Sequence, residues 1–220
     1  KMPLVEIVRS EGVSDETLVR LVKFVRSIGK VPVVCADAPA FVVNRILGPY
    51  LFGAVDLLRS GARIGAIDSA MRRFGLPMGP FELMDTIGLD VVDHVARNMA
   101  DVPGVQITRQ PVIERMVARG QLGRKTGAGF YSWEGGRPRP YSFDDLGFGA
   151  ASDGAHGTAK AWSKSRLRDE LLRLLHCEAQ KVLDEHVVET TDDLDLASIY
   201  GMGFPPYTGG IGTWLQQGGA

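Results

Sequence analysis

Residues 2–36 read MPLVEIVRSEGVSDETLVRLVKFVRSIGKVPVVCA, and this stretch decides the fold at the start of the chain. Residues 2–8 and 31–36 are two apolar runs with the length and composition of buried strands. Between them, Ser14 can cap a helix with acidic residues in its first turn, and Gly29 can end that helix. The order strand, helix, strand predicts a β-α-β unit with parallel strands.

Two strands do not form a stable sheet alone, so we expect this unit to be the end of a larger α/β domain that begins upstream of Lys1. After residue 37, apolar residues recur at helical spacing, and Gly or Pro stands at the ends of the predicted helices. Residues 135–165 are rich in Gly, Pro, Ser and Ala and are predicted to be a linker. The predicted helices cover residues 39–59, 64–74, 80–87, 90–99, 111–119, 167–185 and 190–200.

The last part of the chain repeats a pattern from the first helical part. Residues 67–68 (ID) precede residues 74–78 (FGLPM), and residues 194–195 (LD) precede residues 202–206 (MGFPP). Both parts follow the order long helix, short loop, helix with an early Asp, and a Gly-x-Pro breaker. This shared order predicts two related helical domains that arose by duplication.

Composition excludes several classes of function. The charge is nearly balanced, with 25 Lys and Arg against 26 Asp and Glu in 220 residues, so we expect no nucleic-acid or membrane-surface partner. The most apolar long stretch, residues 41–58, contains Asn, Arg, Pro and Asp, which argues against a membrane span. The four histidines are scattered, so no metal site is predicted. The two cysteines, Cys35 and Cys177, favour a reducing compartment and a cytoplasmic location.

Three places in the sequence could carry chemistry. Glu6 is a carboxylate within an apolar strand, and on its own we interpret it as a strand-end charge facing solvent, because Glu is rarely buried without a partner. Asn44 precedes Leu47 and Leu51 at helical spacing and continues their apolar stripe. Two interpretations of Asn44 stay open: its side chain is aimed into a cleft, or it is bonded to neighbouring backbone. Residues 123–131 (GRKTGAGFY) could face a phosphate, but a tight turn is favoured.

Four motifs stand in a fixed order along the chain: residues 2–8 (MPLVEIV), 37–45 (DAPAFVVNR), 75–83 (GLPMGPFEL) and 123–131 (GRKTGAGFY). In this order they resemble the 3-hydroxyacyl-CoA dehydrogenase family. The second repeat, with YGMGFPP at residues 200–206, resembles the duplicated C-terminal region of fatty-acid oxidation complex alpha subunits. The resemblance covers nearly the whole chain apart from residues 135–165.

The resemblance implies an NAD-dependent oxidation of 3-hydroxyacyl-CoA to 3-ketoacyl-CoA, a step of fatty-acid β-oxidation. In that family a histidine takes the hydroxyl proton, and a paired glutamate orients this histidine and stabilises its charge. Glu6 matches that glutamate, and Asn44 matches the active-site asparagine near the reacting oxygen. Ala40 stands where the family usually has Gly.

The same resemblance places the catalytic histidine, an active-site serine and the Gly-rich NAD loop upstream of Lys1. We therefore expect NAD to be bound by an N-terminal Rossmann domain outside this sequence, and the 220-residue chain alone is predicted to be inactive. The implied fold is mainly α, with the last β-α-β of a Rossmann domain before two related helical domains like the C-terminal domain of 6-phosphogluconate dehydrogenase. The predicted division is residues 1–36, 37–134, 135–165 (linker) and 166–220.

The expected partners are the acyl-CoA substrate and product and the chain's own Rossmann domain. An enoyl-CoA hydratase domain and a thiolase subunit are further candidates. Two alternatives stay open: the helical domain of another Rossmann-containing hydroxy-acid dehydrogenase, and a non-catalytic binding or assembly module.

Overall fold

The computed structural model describes residues 2–102, 104–105, 107–133, 139–140 and 162–218, and this part of the chain is mainly helical. The strands are β1 (Leu4–Arg9), β2 (Val31–Ala36), β3 (Tyr131–Ser132) and β4 (Arg139–Pro140). The helices are α1 (Asp15–Ser27), α2 (Val43–Arg59), α3 (Ile64–Phe74), α4 (Pro80–Ile87), α5 (Leu89–Met99), α6 (Pro111–Ala118), α7 (Lys164–Asp184), α8 (Thr191–Ala197) and α9 (Ile211–Gln216).

The β-α-β unit predicted at the start of the chain is confirmed. Strands β1 and β2 pair in parallel along their whole length. Helix α1 begins after Ser14, whose hydroxyl accepts a hydrogen bond from the N–H of Thr17 at 3.2 Å. Ile7, Leu18 and Val25 form the buried core of this unit. The local cap and the apolar spacing therefore both act as the sequence indicates.

The chain divides into two compact units. The first unit contains residues 1–49 and 172–220, and the second contains residues 50–171. Strands β1 and β2 and helices α1, α8 and α9 belong to the first unit, whereas helices α3 to α6 and strands β3 and β4 belong to the second. The four-part domain division stays a prediction.

Helix α2 begins later than its sequence pattern indicates. It starts at Val43 and not at Pro39, because Ala40 and Phe41 adopt left-handed backbone angles, with φ of 64° and 52°. The N–H of Phe41 closes this turn by bonding the carbonyl oxygen of Ala38 at 3.0 Å. A left-handed residue cannot continue a right-handed helix, so the turn separates β2 from α2.

Replacing Ala40 with glycine is expected to stabilise the chain by about 0.5–1 kcal/mol. A left-handed backbone costs a residue with a Cβ about 1–2 kcal/mol, and part of that gain is offset by the greater freedom of Gly in the unfolded chain. The matched control is Ala38→Gly, since Ala38 lies outside the left-handed region and should lose stability instead. Thermal unfolding of the two variants measures the difference, and equal shifts of the midpoint would contradict the strain argument.

The remaining helix predictions are confirmed: α3 and α4 have the predicted bounds, and the ends of the others differ by at most three residues. The predicted linker over residues 135–165 lies largely outside the described residues, but it includes β4, which pairs antiparallel with β3, and the start of α7. The helix predicted over residues 167–185 is α7. The helix predicted over residues 190–200 is α8 followed by a π-helical turn, Ser198–Met202.

A capping aspartate organises the first helical repeat. Asp68, the fifth residue of α3, is fully buried. Its carboxylate accepts hydrogen bonds from the N–H groups of Phe81 and Glu82 at 3.0 and 3.1 Å, and from the hydroxyl of Tyr131 at 2.8 Å. The two amides lie in the first turn of α4, so a side chain of one helix caps the next helix.

In the second repeat an aspartate also caps the following helix. Asp195, the fifth residue of α8, accepts hydrogen bonds from the N–H groups of Gly212 and Thr213 at 2.6 and 3.0 Å, in the first turn of α9. The residue before each capped helix is a glycine, Gly79 or Gly210, and a Cβ there would lie 2.3 or 2.4 Å from the capping aspartate. The two helical repeats therefore share one capping arrangement, and their division into two domains stays a prediction.

Candidate active site

Glu6 lies in the middle of β1 and is half-buried. Its Oε1 accepts hydrogen bonds from the N–H groups of Val42 and Val43, at 2.8 and 3.2 Å. No cation among the described residues pairs with it. The interpretation of Glu6 as a solvent-facing charge at a strand end is therefore wrong: the partner is backbone at the start of α2, which satisfies a carboxylate without any charged neighbour.

Asn44 follows these two amides directly, in the first turn of α2. Its side chain is exposed, so the prediction that it continues the apolar stripe is wrong, although Leu51 on that stripe is buried. No described residue hydrogen-bonds the Asn44 amide. Of the two interpretations left open by the sequence, the bond to neighbouring backbone is not made, and the side chain is accessible to a ligand.

The contact brings the two sequence candidates to one place. The backbone of α2 begins on the Glu6 carboxylate and carries Asn44 at its next residue. Only Oε1 of Glu6 has a partner among the described residues, which leaves Oε2 to accept one more hydrogen bond. The pair can thus orient a proton-carrying group with the carboxylate and donate a hydrogen bond with the amide.

Cys35 on β2 is the nearest candidate nucleophile, and its surroundings keep it inert. The thiol is buried, and burial, together with the negative charges of Glu6 and Asp37, raises its pKa to about 12. A thiol of this kind stays protonated at neutral pH and does not act as a nucleophile.

Residues 123–131 form a tight turn, as the sequence favours. The N–H groups of Phe130 and Tyr131 both donate to the buried carboxylate of Asp85 at 2.9 Å, and Lys125 pairs with Asp90 at 2.6 Å. Backbone amides already bound to an internal carboxylate do not cradle a phosphate. The phosphate interpretation of this segment is therefore not supported by its geometry.

The turn between β1 and α1 is not the Gly-rich turn that binds the pyrophosphate of a dinucleotide. The turn between β1 and α1 has one glycine, Gly12, and the Ser14 side chain already caps α1. Asp15 and Glu16 in the first turn of that helix would repel a pyrophosphate.

The part of the chain that the structure describes contains no candidate metal site and no candidate membrane-spanning helix. No group of three or more His, Cys, Asp or Glu side chains there is arranged to hold a metal ion. None of the described helices combines the length and the apolar composition that crossing a bilayer requires.

Arg45, which follows Asn44, forms buried ion pairs that were not predicted from the sequence. It is 3% exposed, its Nε donates to Glu178 Oε1 at 2.9 Å, and its Nη2 lies 2.7 Å from Glu185 Oε2. Burial opposes its charge, but the two carboxylates outweigh burial and raise the pKa of Arg45. A basic residue inside an apolar helix was the available signal, because such a group requires a buried acid. The acid lies on α7, and no local pattern identifies it.

Family models match both the segment that contains Glu6 and the segment that contains Asn44. The family model described as "3-hydroxyacyl-CoA dehydrogenase, NAD binding domain" matches residues 1–38, and "3-hydroxyacyl-CoA dehydrogenase, C-terminal domain" matches residues 41–133. The fatty acid oxidation complex subunit alpha of Acinetobacter baumannii (strain SDF) is 36% identical over 225 residues, which is 99% of this chain and 31% of that protein. The chain thus spans about a third of the length of the curated relatives it matches.

Two solved 3-hydroxybutyryl-CoA dehydrogenases are similar to this chain in structure. 3-Hydroxybutyryl-CoA dehydrogenase of Escherichia coli K12 has the same fold over 94% of this chain and 60% of its own, with a TM-score of 0.74 and 23% identity. (S)-3-Hydroxybutyryl-CoA dehydrogenase of Ralstonia eutropha is 38% identical over 60% of this chain and 47% of its own, with a TM-score of 0.53. With two models of one family matching in succession along its sequence, this chain belongs to the 3-hydroxyacyl-CoA dehydrogenase family and contains part of the NAD-binding domain and the C-terminal domain.

Proposed function

We propose that this chain is the C-terminal part of an NAD-dependent 3-hydroxyacyl-CoA dehydrogenase that oxidises 3-hydroxyacyl-CoA to 3-ketoacyl-CoA in fatty-acid β-oxidation. Glu6 orients the histidine that accepts the hydroxyl proton, and Asn44 donates a hydrogen bond to the reacting oxygen. A Rossmann domain upstream of Lys1 supplies that histidine and binds NAD.

The contact between Glu6 and the start of α2 carries this proposal. Glu6 and Asn44 come from separate motifs of the sequence. The amides of Val42 and Val43, which directly precede Asn44, donate to Glu6 Oε1 at 2.8 and 3.2 Å. The carboxylate keeps a second oxygen for an imidazole, and no described residue occupies the Asn44 amide. An acid and an amide donor at one place are what a proton abstraction next to a developing oxyanion requires.

The partners follow from the proposed reaction. They are the acyl-CoA thioester, the chain's own Rossmann domain, and, as in a multifunctional β-oxidation protein, an enoyl-CoA hydratase domain and a thiolase subunit. A cytoplasmic location is part of the same proposal, and the unpaired thiols of Cys35 and Cys177 are compatible with a reducing compartment.

The test compares the 220-residue chain with the protein extended upstream to include a complete NAD-binding domain. NADH oxidation with acetoacetyl-CoA is measured for both. We expect turnover by the extended protein only, because proton transfer needs a positioned base and reduction needs a bound nicotinamide. Glu6→Gln should lower kcat by about 10²–10⁴-fold, and Asn44→Ala by about 100-fold.

Glu11→Gln is the matched control, since Glu11 is an exposed carboxylate of the same unit. It should leave kcat unchanged. Turnover by the 220-residue chain alone, or full activity of Glu6→Gln in the extended protein, would contradict the proposal.

A further inference from the structure

The turn before α2 is strained, although the N–H of Phe41 bonds the carbonyl oxygen of Ala38 within it. Ala40 and Phe41 are consecutive residues in the left-handed region, with φ of 64° and 52°, and neither is a glycine. Left-handed angles are unfavourable for residues that carry a Cβ. Phe41 is also partly exposed, at 37%, so its packing gives limited compensation. Such a turn persists only where neighbouring contacts determine it.

Glu6 provides that contact. Its Oε1 bonds the amides of Val42 and Val43, which directly follow the two strained residues. Both amides lie at the start of α2, where helix geometry leaves N–H groups without backbone acceptors. A charged acceptor on two such donors is among the stronger hydrogen-bond arrangements. The strand thus holds the exit of the turn and the first residue of the helix together.

Asn44 is the next residue, and its own side chain has no partner among the described residues to fix it. Its position is therefore set by the backbone of the first turn of α2. We infer that Glu6 is a positioning residue for Asn44: through its hydrogen bonds to Val42 and Val43, it fixes the helix start that presents the Asn44 amide to the reacting oxygen. This role rests on the proposed function and is separate from any contact of Glu6 with a histidine.

The two roles of Glu6 can be separated by choice of substitution. Gln at position 6 keeps a carbonyl oxygen that can accept from both amides, but it has no negative charge for an imidazole. Ala at position 6 has neither the acceptor oxygen for the two amides nor the negative charge for the imidazole. The difference between Glu6→Gln and Glu6→Ala therefore isolates the contact with α2.

Hydrogen exchange of the protein with its complete NAD-binding domain, in the absence of substrate and NAD, tests the contact without any catalysis. Glu6→Ala should abolish protection of the Val42 and Val43 amides, Glu6→Gln should retain it, and the exposed Glu11→Ala should leave it as in the wild type. Equal protection of these amides in Glu6→Ala and wild type would overturn the inference.

Kinetics of the protein with its complete NAD-binding domain test the positioning role. We expect Glu6→Ala to have a kcat about 10–100-fold below that of Glu6→Gln, with a smaller change in KM, because a misplacement near 1 Å costs about this much. In an Asn44→Ala background this gap should close, since there is no amide left to position. A gap that persists in that background would show a merely structural contact and overturn the inference.

The two proposals fail in different ways. Wild-type protein without dehydrogenase activity would contradict the proposed function, and the positioning role with it. Hydrogen exchange would still decide whether Glu6 holds the start of α2.

Discussion

Replacing Arg45 with methionine is expected to lower the free energy of unfolding of the first unit by about 3 kcal/mol. The substitution removes the guanidinium that pairs with Glu178, whose side chain is 1% exposed, at 2.9 Å. A buried carboxylate left without its partner costs about 3–5 kcal/mol. We expect the lower end of that range because Lys181 stays within 3.1 Å of Glu178. Urea denaturation followed by tryptophan fluorescence, to which Trp214 of the same unit contributes, measures the loss.

Glu185→Gln is the control for this prediction. Glu185 also pairs with Arg45, at 2.7 Å, but its side chain is 48% exposed, so the substitution should cost less than about 1 kcal/mol. The double variant Arg45→Met, Glu178→Leu should be more stable than Arg45→Met alone, because it leaves no unpaired buried charge. A loss in Arg45→Met no larger than in Glu185→Gln would contradict the importance of the buried pair.

The β-α-β unit could be predicted because its signals are local. Ser14 caps α1 with its own hydroxyl, Gly29 follows the helix with φ of 73°, and the strands are short apolar runs between these signals. Pro80 likewise opens α4 at the residue that the sequence indicates. Each signal lies within a few residues of the feature it determines, so tertiary packing did not need to be known.

The start of α2 could not be predicted because the residue that bonds its first amides is distant in the sequence. Pro39 is locally well suited to open a helix, but Ala40 and Phe41 leave helical geometry and the helix begins at Val43. The amides of that start are bonded by Glu6, which is far away in the sequence. Backbone N–H groups are present at every residue except proline, so a carboxylate that binds them leaves no pattern in the sequence.

The candidate site shows the same limit. Glu6 and Asn44 could be named from the motifs that surround them, whereas their geometry could not. The partner of Arg45 could not be predicted either. Glu178 lies on α7, far from Arg45 in the sequence. Long-range pairs of this kind are determined by packing, which local propensity does not contain.

Asp68→Asn is expected to destabilise the second unit by about 1–3 kcal/mol at pH 5. The buried carboxyl group of Asp68 bonds two backbone amides and the Tyr131 hydroxyl, and an asparagine has one oxygen for these three donors. At pH 5 the Asp68 carboxyl group is protonated, but its hydroxyl oxygen can still accept from one of these donors, whereas the nitrogen of the asparagine NH₂ group accepts from none. The loss should therefore exceed that of a surface substitution, and urea denaturation measures it.

The loss from Asp68→Asn should depend on pH. Burial raises the pKa of Asp68 to about 7, although hydrogen bonds from Phe81 and Tyr131 act in the opposite direction. A folded pKa above the unfolded value, about 3.9, means that the folded state holds the proton more tightly. The stability that Asp68 contributes is then greatest below pH 4 and falls as the pH rises to about 7.

Urea denaturation of the wild type and Asp68→Asn at pH 5, 6, 7 and 8 tests this sign. The free-energy difference between them should shrink by on the order of 2 kcal/mol from pH 5 to pH 8, since one proton is linked to folding over this range. Tyr131→Phe retains Asp68 and removes a hydrogen bond that lowers its pKa, so it should move the pH-dependent range upward. A free-energy difference between the wild type and Asp68→Asn that stays constant or grows from pH 5 to pH 8 would contradict the raised pKa. The buried carboxyl group would then be ionised throughout this range, and Asp68 would cap α4 as an anion.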